Sequence, residues 1–392
     1  MRQEAIFPRR NHRLSFLFFL NLIFAFHYYL VIYINSSFLE SFFSTKFIGG
    51  LFMAGAVINL FLLLWSPLII KKIGAYSMIV LATLAEALAI FLLFRAAGPA
   101  SIILGFILHQ SVVMLILFLL DMFLEAATTK ESTTGSIRGI YLTLSGLALV
   151  LAPALVALLS KGGDYRPVFV LSGIILLPFL FLTLKTLRKI KGVSVVRPEI
   201  LNTLKAVLKS KDVRNVLLAQ GILQFFYAWM VIYLPLYLHT VIGFPWSKLG
   251  ILFSIMLLPF VLFEIPAGRI ADRFLGEKEM MIGGFVVMSG AAIWFSYLVE
   301  PVFLTWAIIL FLSRVGASVV EITTESYFFK HVKATDAGIV GFFRSTRPVS
   351  YIAAPIVASV LFWFMPFRFF FVGLGVLTLS GIIFAWKIKD TR

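Results

Sequence analysis

The residues able to do chemistry in this chain are few, and most of them lie inside long apolar runs. Arg314, Ser318, Glu321 and Glu325 fall at i, i+4, i+7 and i+11, one face of a helix. A guanidinium and a carboxylate on one face offer anion binding and proton exchange, or a pair that only neutralises itself. Arg344 and Arg347 open the next apolar run. At about 1.5 Å per residue, Arg347 reaches toward mid-depth and Arg344 stops nearer water, as a gate or a snorkelling side chain. Two arginines at that depth favour a substrate with an anionic group, or act as counter-ions for Glu321 or Glu86. Gln220, Gln224 and Tyr227 share a face of a further run, and Tyr227 stands 200 residues after His27. That places His27 as a cavity candidate, in competition with the polar face of Asn21, Tyr28 and Asn35. His109, beside Gln110, is either a proton carrier or a buried hydrogen-bonded residue. Glu86 is either a coupling acid or a group that is protonated or paired. Ionisable groups at membrane depth are functional candidates by default.

Other chemistries are missing. There is no Cys, hence no disulfide, thiolate metal site or Cys nucleophile. No His/Glu pair stands at metal-ligand spacing along the chain, and no Gly-rich phosphate loop or sizeable soluble domain is present. An enzyme is therefore not expected, nor a cofactor or metal. Asn35-Ser36-Ser37 fits a glycosylation acceptor but sits at the end of an apolar run.

The elements that must position these residues follow from composition. The chain has 392 residues, 61% of them hydrophobic and 13% charged, with mean hydropathy +1.01. A soluble domain that apolar would expose aggregating patches, so bilayer is the expected solvent. Spans of roughly 20 apolar residues read near 14–37, 47–70, 75–94, 99–122, 136–160, 167–188, 213–239, 248–268, 279–299, 301–328, 337–362 and 367–387. The net charge of +16 is then topological rather than a nucleic-acid signal. Lys46, Arg95, Lys161, Arg166, Lys248 and Arg368 fall at one end of the spans. Most other Lys and Arg, including Arg2, Arg9, Arg10 and Arg13, fall at the other, which places both termini in the cytoplasm of a plasma (inner) membrane. The longest polar stretch, about 185–212, separates residues 1–188 from 213–392. Within 189–212, Ile200, Leu201, Leu204, Val207 and Leu208 recur at helical spacing, an amphipathic helix on the membrane face or else a solvated linker.

The two halves repeat. Val31-Ile32-Tyr33 recurs as Val231-Ile232-Tyr233, Gly50 as Gly250, and Asp121-x-x-x-Glu125 as Glu321-x-x-x-Glu325, each 200 residues on. Gly74 recurs as Gly276, Gly139 as Gly341, Ala152-Pro153 as Ala354-Pro355, Arg166 as Arg368 and Gly173 as Gly375, each at 202. Collinear matches at nearly one offset indicate duplicated six-helix halves, which place a substrate site near the midplane between them.

Between the eighth and ninth runs lies Gly268-Arg269-Ile270-Ala271-Asp272-Arg273-Phe274-Leu275-Gly276-Glu277-Lys278, a charged turn whose Asp272-Arg273 and Glu277-Lys278 need a water interface. It resembles the signature loop of major facilitator superfamily transporters, G-x-x-x-D-R-x-G-R-[RK], at Gly268, Asp272, Arg273 and Lys278. Leu275 is one residue more than that pattern has before its Gly. The first-half copy, Lys71-Lys72-Ile73-Gly74, keeps the basic pair and the Gly without the Asp, so equal gating by the two halves is not expected. Ala152-Pro153 and Ala354-Pro355 stand where antiporters of that family carry a Gly-rich pattern, and here read as a kink with small packing residues or as an altered antiporter signature.

The resemblance spans the chain and implies an all-α membrane protein of twelve helices in two pseudo-symmetric bundles. It also implies a secondary transporter working by alternating access. With the residue spacing and depth above, the expected substrate-cavity residues are His27, Tyr28, His109, Gln224, Tyr227, Arg314, Glu321 and Arg347. The expected gating residues are Gly268, Asp272, Arg273, Gly276, Lys278, Glu325, Arg344, Glu125 and Arg138, with Asp272, Arg273, Glu325 and Arg344 as a latch. A monomer handling a small molecule is the leading reading, either coupled to protons or by facilitated diffusion without them. A lipid or amphiphile translocase, favoured by the 42 Phe, and a non-transporting membrane scaffold or membrane-embedded enzyme remain beside it.

Overall fold

The computed structural model describes residues 12–127, 131–160, 163–190, 200–332 and 337–389. Arg2, Arg9 and Arg10 and the side chains of Arg138, Asp272 and Arg273 lie outside the described residues. Backbone amides in lipid must be satisfied within their own segment, and the sequence meets that demand with helices alone; among the described residues there is no strand.

The elements are α1 (His12–Ile32), α2 (Ile34–Glu40), α3 (Thr45–Arg95), α4 (Pro99–Ala127), α5 (Glu131–Leu159), α6 (Arg166–Thr186), α7 (Ile200–Lys209), α8 (Lys211–Leu236), α9 (Trp246–Ile270), α10 (Glu277–Phe295), α11 (Phe303–His331), α12 (Ala337–Phe364), α13 (Phe370–Leu379) and α14 (Gly381–Lys387). Among the described residues, eleven continuous helical stretches are long and apolar enough to cross a membrane. One of them, α3, has 51 residues. At about 1.5 Å per residue it is roughly 77 Å long, more than twice a bilayer core of about 30 Å. It bends at Gly74, where φ is +82° and ψ 153°, so it makes two crossings and the total is twelve. α1 with α2 and α13 with α14 each form one crossing.

Gly276 repeats Gly74 in conformation as well as in sequence, with φ +84° and ψ 160°. That backbone region is essentially closed to residues with a Cβ. The additional Leu275 is absorbed just before it. α9 continues through Pro266 and Gly268 to Ile270 and passes into a π-turn over Ala271–Leu275. The Gly276 amide donates to the Ala271 carbonyl five residues back at 3.0 Å. A π-turn is the helical means of housing one inserted residue while the next helix keeps its place.

α1–α6 form one half and α8–α14 the other, with α7 between them. Val207 of α7 is buried, whereas Leu204 and Leu208 of the same helix are exposed. The halves meet along two seams, α5 on α9 and α3 on α12. At the end remote from the termini both seams bring a glycine against a proline of the partner half. A Cβ on Gly250 would stand 2.2 Å from the Pro153 carbonyl oxygen, and one on Gly49 would stand 3.2 Å from the Pro355 Cβ and 2.9 Å from the Tyr233 hydroxyl. Small residues let helix backbones touch in lipid, where packing rather than the hydrophobic effect drives association. Tyr33 on Phe253 at 5.0 Å, Tyr165 on Trp246 at 5.7 Å, and Ser254 Oγ donating to the Val150 carbonyl at 2.7 Å extend the remote closure.

Candidate functional site

At mid-depth the halves are joined by polar groups. Arg347 lies ten residues into α12, directly before Pro348, and its guanidinium donates to the Tyr28 hydroxyl of α1 at 2.9 Å. Arg314, in the middle of α11, is 1% exposed. Its guanidinium carbon lies 5.2 Å from the ring centre of Phe226 and 5.3 Å from that of Tyr227, both on α8. Aromatic faces stabilise a cation that has left water, but they do not neutralise it. No carboxylate pairs with Arg314 among the described residues, and its Nε is buried without a hydrogen-bond partner. The alternative of an Arg314–Glu321 pair is not what forms. Glu321 instead accepts the Tyr227 hydroxyl at 2.8 Å on Oε2. One turn further along α11, the Thr324 hydroxyl donates to Gln220 Oε1 of α8 at 2.8 Å. Gln224 is buried on the same helix as Tyr227. Arg314, Glu321, Tyr227, Tyr28 and Arg347 are thus gathered from α1, α8, α11 and α12.

His27 and His109 go elsewhere, which corrects their placement as cavity residues. Residues adjacent on a helix point about 100° apart, so with Tyr28 turned to the second half His27 turns into the first. Its Nε2 lies 2.9 Å from Glu86 Oε1, and His109 Nδ1 lies 2.6 Å from the same oxygen. All three are essentially unexposed. His27 Nδ1 faces the Ser172 hydroxyl of α6 at 2.7 Å and the Ser172 carbonyl at 3.2 Å. The competing polar face of α1 is divided: Asn21 donates to the Tyr141 carbonyl and to Ser145 of α5. The absence of metal-ligand spacing along the chain did not anticipate that three helices would assemble a His–His–Glu group, with Ser172 added from a fourth. Ser172 carried no sequence signal beyond its position next to the repeated Gly173.

At the end near the termini, Arg344 and Glu325 pair at 3.2 Å. They join α11 to α12 inside one half, so this contact is not itself a latch across the halves. Glu277 does not sit at a water interface as its place in the charged turn implied. It is fully buried at the start of α10, accepting Ser326 Oγ at 2.9 Å and pairing with Lys330. A carboxylate is favoured at a helix N-terminus, and here it ties the turn to α11. Lys278 lies over the Trp386 ring at 5.3 Å. A Cβ at Gly268 would meet Ile322 at 3.4 Å, and Glu125 is exposed. The roles expected of Asp272, Arg273 and Arg138 fall on side chains outside the described residues.

The chain matches the family model described as Major Facilitator Superfamily over residues 14–259 and again over 246–392. No curated protein matches it in sequence. Among solved structures it is similar to the nucleoside transporter NupG, with TM-score 0.77, 16% identity, and coverage of 96% of this chain and 99% of that one. It is also similar to the POT family transporter PepTSo, with TM-score 0.78, 12% identity, and coverage of 97% and 98%. At these identities the likeness is one of fold.

Proposed function

The chain belongs to the Major Facilitator Superfamily, and from that premise we propose a secondary transporter that moves a small solute bearing a carboxylate or phosphate by alternating access. The observation that carries this reading is Arg314: a fully buried guanidinium, held by aromatic faces, with no carboxylate partner among the described residues. An uncompensated charge at that depth costs at least about 2.5–3.5 kcal/mol on insertion scales, and an anionic solute would relieve it. Arg347 supplies a second cation from the next helix, and its bond to Tyr28 spans the two halves. A solute displacing Tyr28 from Arg347 would act on the inter-half contact directly. Fold neighbours titled as a nucleoside transporter and as a POT family peptide transporter are in keeping with a small solute, and the two arginines favour one with negative charge.

Glu321 is the acid nearest this arrangement and the candidate for proton coupling, through the hydroxyl of Tyr227. With the basic-rich end in the cytoplasm of a plasma (inner) membrane, the remote end, where the glycine–proline contacts lie, faces outward. The two halves then rock against each other about the midplane, while α7 lies along the inner face with Leu204 and Leu208 toward lipid.

The test is a thermal-shift panel of anionic, cationic and neutral metabolites on purified protein, followed by flux in proteoliposomes. Ligand at 100 times its Kd adds about 2.7 kcal/mol of stability, so true ligands stand out. Stabilisation by anionic members, lost in Arg314→Gln, is the expected result. Stabilisation by cations, or by uncharged amphiphiles alone, would overturn the anion reading, and the second case would promote a lipid or amphiphile translocase.

A further inference from the structure

The His27–Glu86–His109 group takes no part in the site between the halves, yet it is the most completely buried set of ionisable groups on α1, α3 and α4. Its charges can be counted. α1 contributes His27, α3 Glu86 and α4 His109, while α6 contributes only the neutral Ser172. No lysine or arginine is paired with Glu86 among the described residues. With both imidazoles neutral the group carries one negative charge; with one added proton it carries none, which is the state that burial favours.

The hydrogen bonds provide for both states. Both imidazoles donate to Glu86 Oε1, from His27 Nε2 and His109 Nδ1. When His27 is neutral, its Nδ1 accepts from the Ser172 hydroxyl at 2.7 Å. When His27 is protonated, Nδ1–H donates to the Ser172 hydroxyl or carbonyl, and that hydroxyl turns to the His27 carbonyl at 3.4 Å. Serine can exchange donor and acceptor roles in this way; few side chains can. Glu86 Oε2 and His109 Nε2 are buried and unpartnered, leaving two acceptors on which a proton could also reside. The same three residues resemble a divalent-metal set, but the separations argue against one. Ligands about a tetrahedral zinc stand roughly 3.3 Å apart, whereas the nitrogens lie 2.9 and 2.6 Å from the shared oxygen, which are hydrogen-bond lengths.

We propose that His27, Glu86 and His109 form a proton-binding site holding one exchangeable proton, and that its occupancy sets the position of α1. The consequence is mechanical. His27 and Tyr28 are consecutive, so α1 is held by Ser172 and Glu86 on one face and by Arg347 of the other half on the next. Loss of the proton to water leaves a buried negative charge, reorients Ser172, and shifts the helix that carries the inter-half bond. Only this consequence rests on the transporter reading; the site itself can be titrated whether or not a solute is transported.

The experiment uses full-length protein with ¹⁵N-labelled histidine, of which there are five. Imidazole nitrogen resonances are followed from about pH 5 to about pH 9, the window in which histidine charge ordinarily changes. His27 and His109 are expected to move together between neutral and protonated patterns. In Glu86→Gln the protonated pattern should be lost. In Ser172→Ala, which keeps the acid, the midpoint should shift, and Ser172→Thr should restore it. A merely structural cluster would show no midpoint to move. Spin labels on Lys46→Cys and Lys248→Cys, one in each half on a Cys-free background, should report an inter-half distance that changes over the same range in the parent and not in Glu86→Gln. Resonances unchanged with pH in the parent protein would overturn the site. A pH-invariant distance alongside titrating imidazoles would overturn its link to α1. Stoichiometric uptake of zinc chloride that depends on Glu86 would replace the proton with a metal ion.

Discussion

Tyr227 shows how a single hydroxyl partitions charge in the second half. It occupies Glu321, and by doing so leaves Arg314 with only ring faces. Tyr227→Phe removes one hydrogen bond to a half-buried carboxylate, and a hydrogen bond to a charged group ordinarily contributes about 1.5–3 kcal/mol. It should lower thermal stability in detergent and free Glu321 to approach Arg314, so binding of an anionic ligand should weaken as well. A Tyr227→Phe protein that binds anions as the parent does would separate Glu321 from the site. The charged pairs at the end near the termini call for a different expectation. Arg344 and Glu325 are 44% and 29% exposed, and exposed ion pairs are worth about 0–1 kcal/mol. Glu325→Gln should therefore leave the melting temperature nearly unchanged. Glu277→Gln should lower it more, because that carboxylate is fully buried and holds both Ser326 and Lys330. Equal melting temperatures for the two variants would contradict this ordering.

Among the elements, the turn joining α9 to α10 is where sequence and geometry can be compared most closely. An extra residue relative to the signature pattern is met by a π-turn, and a glycine that repeats at 202 residues repeats its φ and ψ. The two features separate by mutation. Gly276→Ala forces a Cβ into a region open essentially to glycine, at a cost of about 1–3 kcal/mol. Gly74→Ala should cost about the same, because it has the same φ and ψ and open space around its ideal Cβ, so the penalty there is purely conformational. Deleting Leu275 converts the π-turn to an α-turn and should be tolerated better than either. Thermal unfolding of the three variants measures the order; a deletion that unfolds the protein would mean that the π-turn is required and not merely accommodated.

The whole molecule is organised by two seams related by the repeat, each closing a glycine on a proline at the remote end. The repeat itself points to Gly50 as the partner of Gly250, but Gly50 has open space and Gly49 makes the contact. The closest approach is Gly250 to the Pro153 carbonyl oxygen at 2.2 Å from the ideal Cβ, with rigid backbone on the receiving side. Gly250→Leu should therefore hold the remote end open without unfolding either half. A Cys at Phe253, which packs on Tyr33 across the seam, should label faster in that background. Unaltered labelling would mean that the seam closes by another route. Topology is open to the same chemistry because no native Cys competes. A Cys at Lys189 or Lys191 should react with an impermeant reagent only after the membrane is breached, and labelling in intact cells would reverse the orientation.

Twelve crossings in two halves were legible in the sequence. Hydropathy, duplication and charge are one-dimensional properties that folding does not rearrange. The direction each helix faces was not legible, and the reason is physical. In a soluble protein, water marks the outer face of a helix with polar residues; in a bilayer, lipid and protein faces are equally apolar, so rotation leaves little trace. His27 and Tyr28 are the sharpest case: neighbours in sequence, they serve different halves of the molecule. Glu86, which the sequence left as a coupling acid or a protonated or paired group, proves to be the centre of a cluster drawn from four helices, because side chains brought together from residues 27, 86, 109 and 172 share no spacing that a sequence could display. The closure of the remote end was likewise decided only in three dimensions, where one missing Cβ on each seam lets two helices touch.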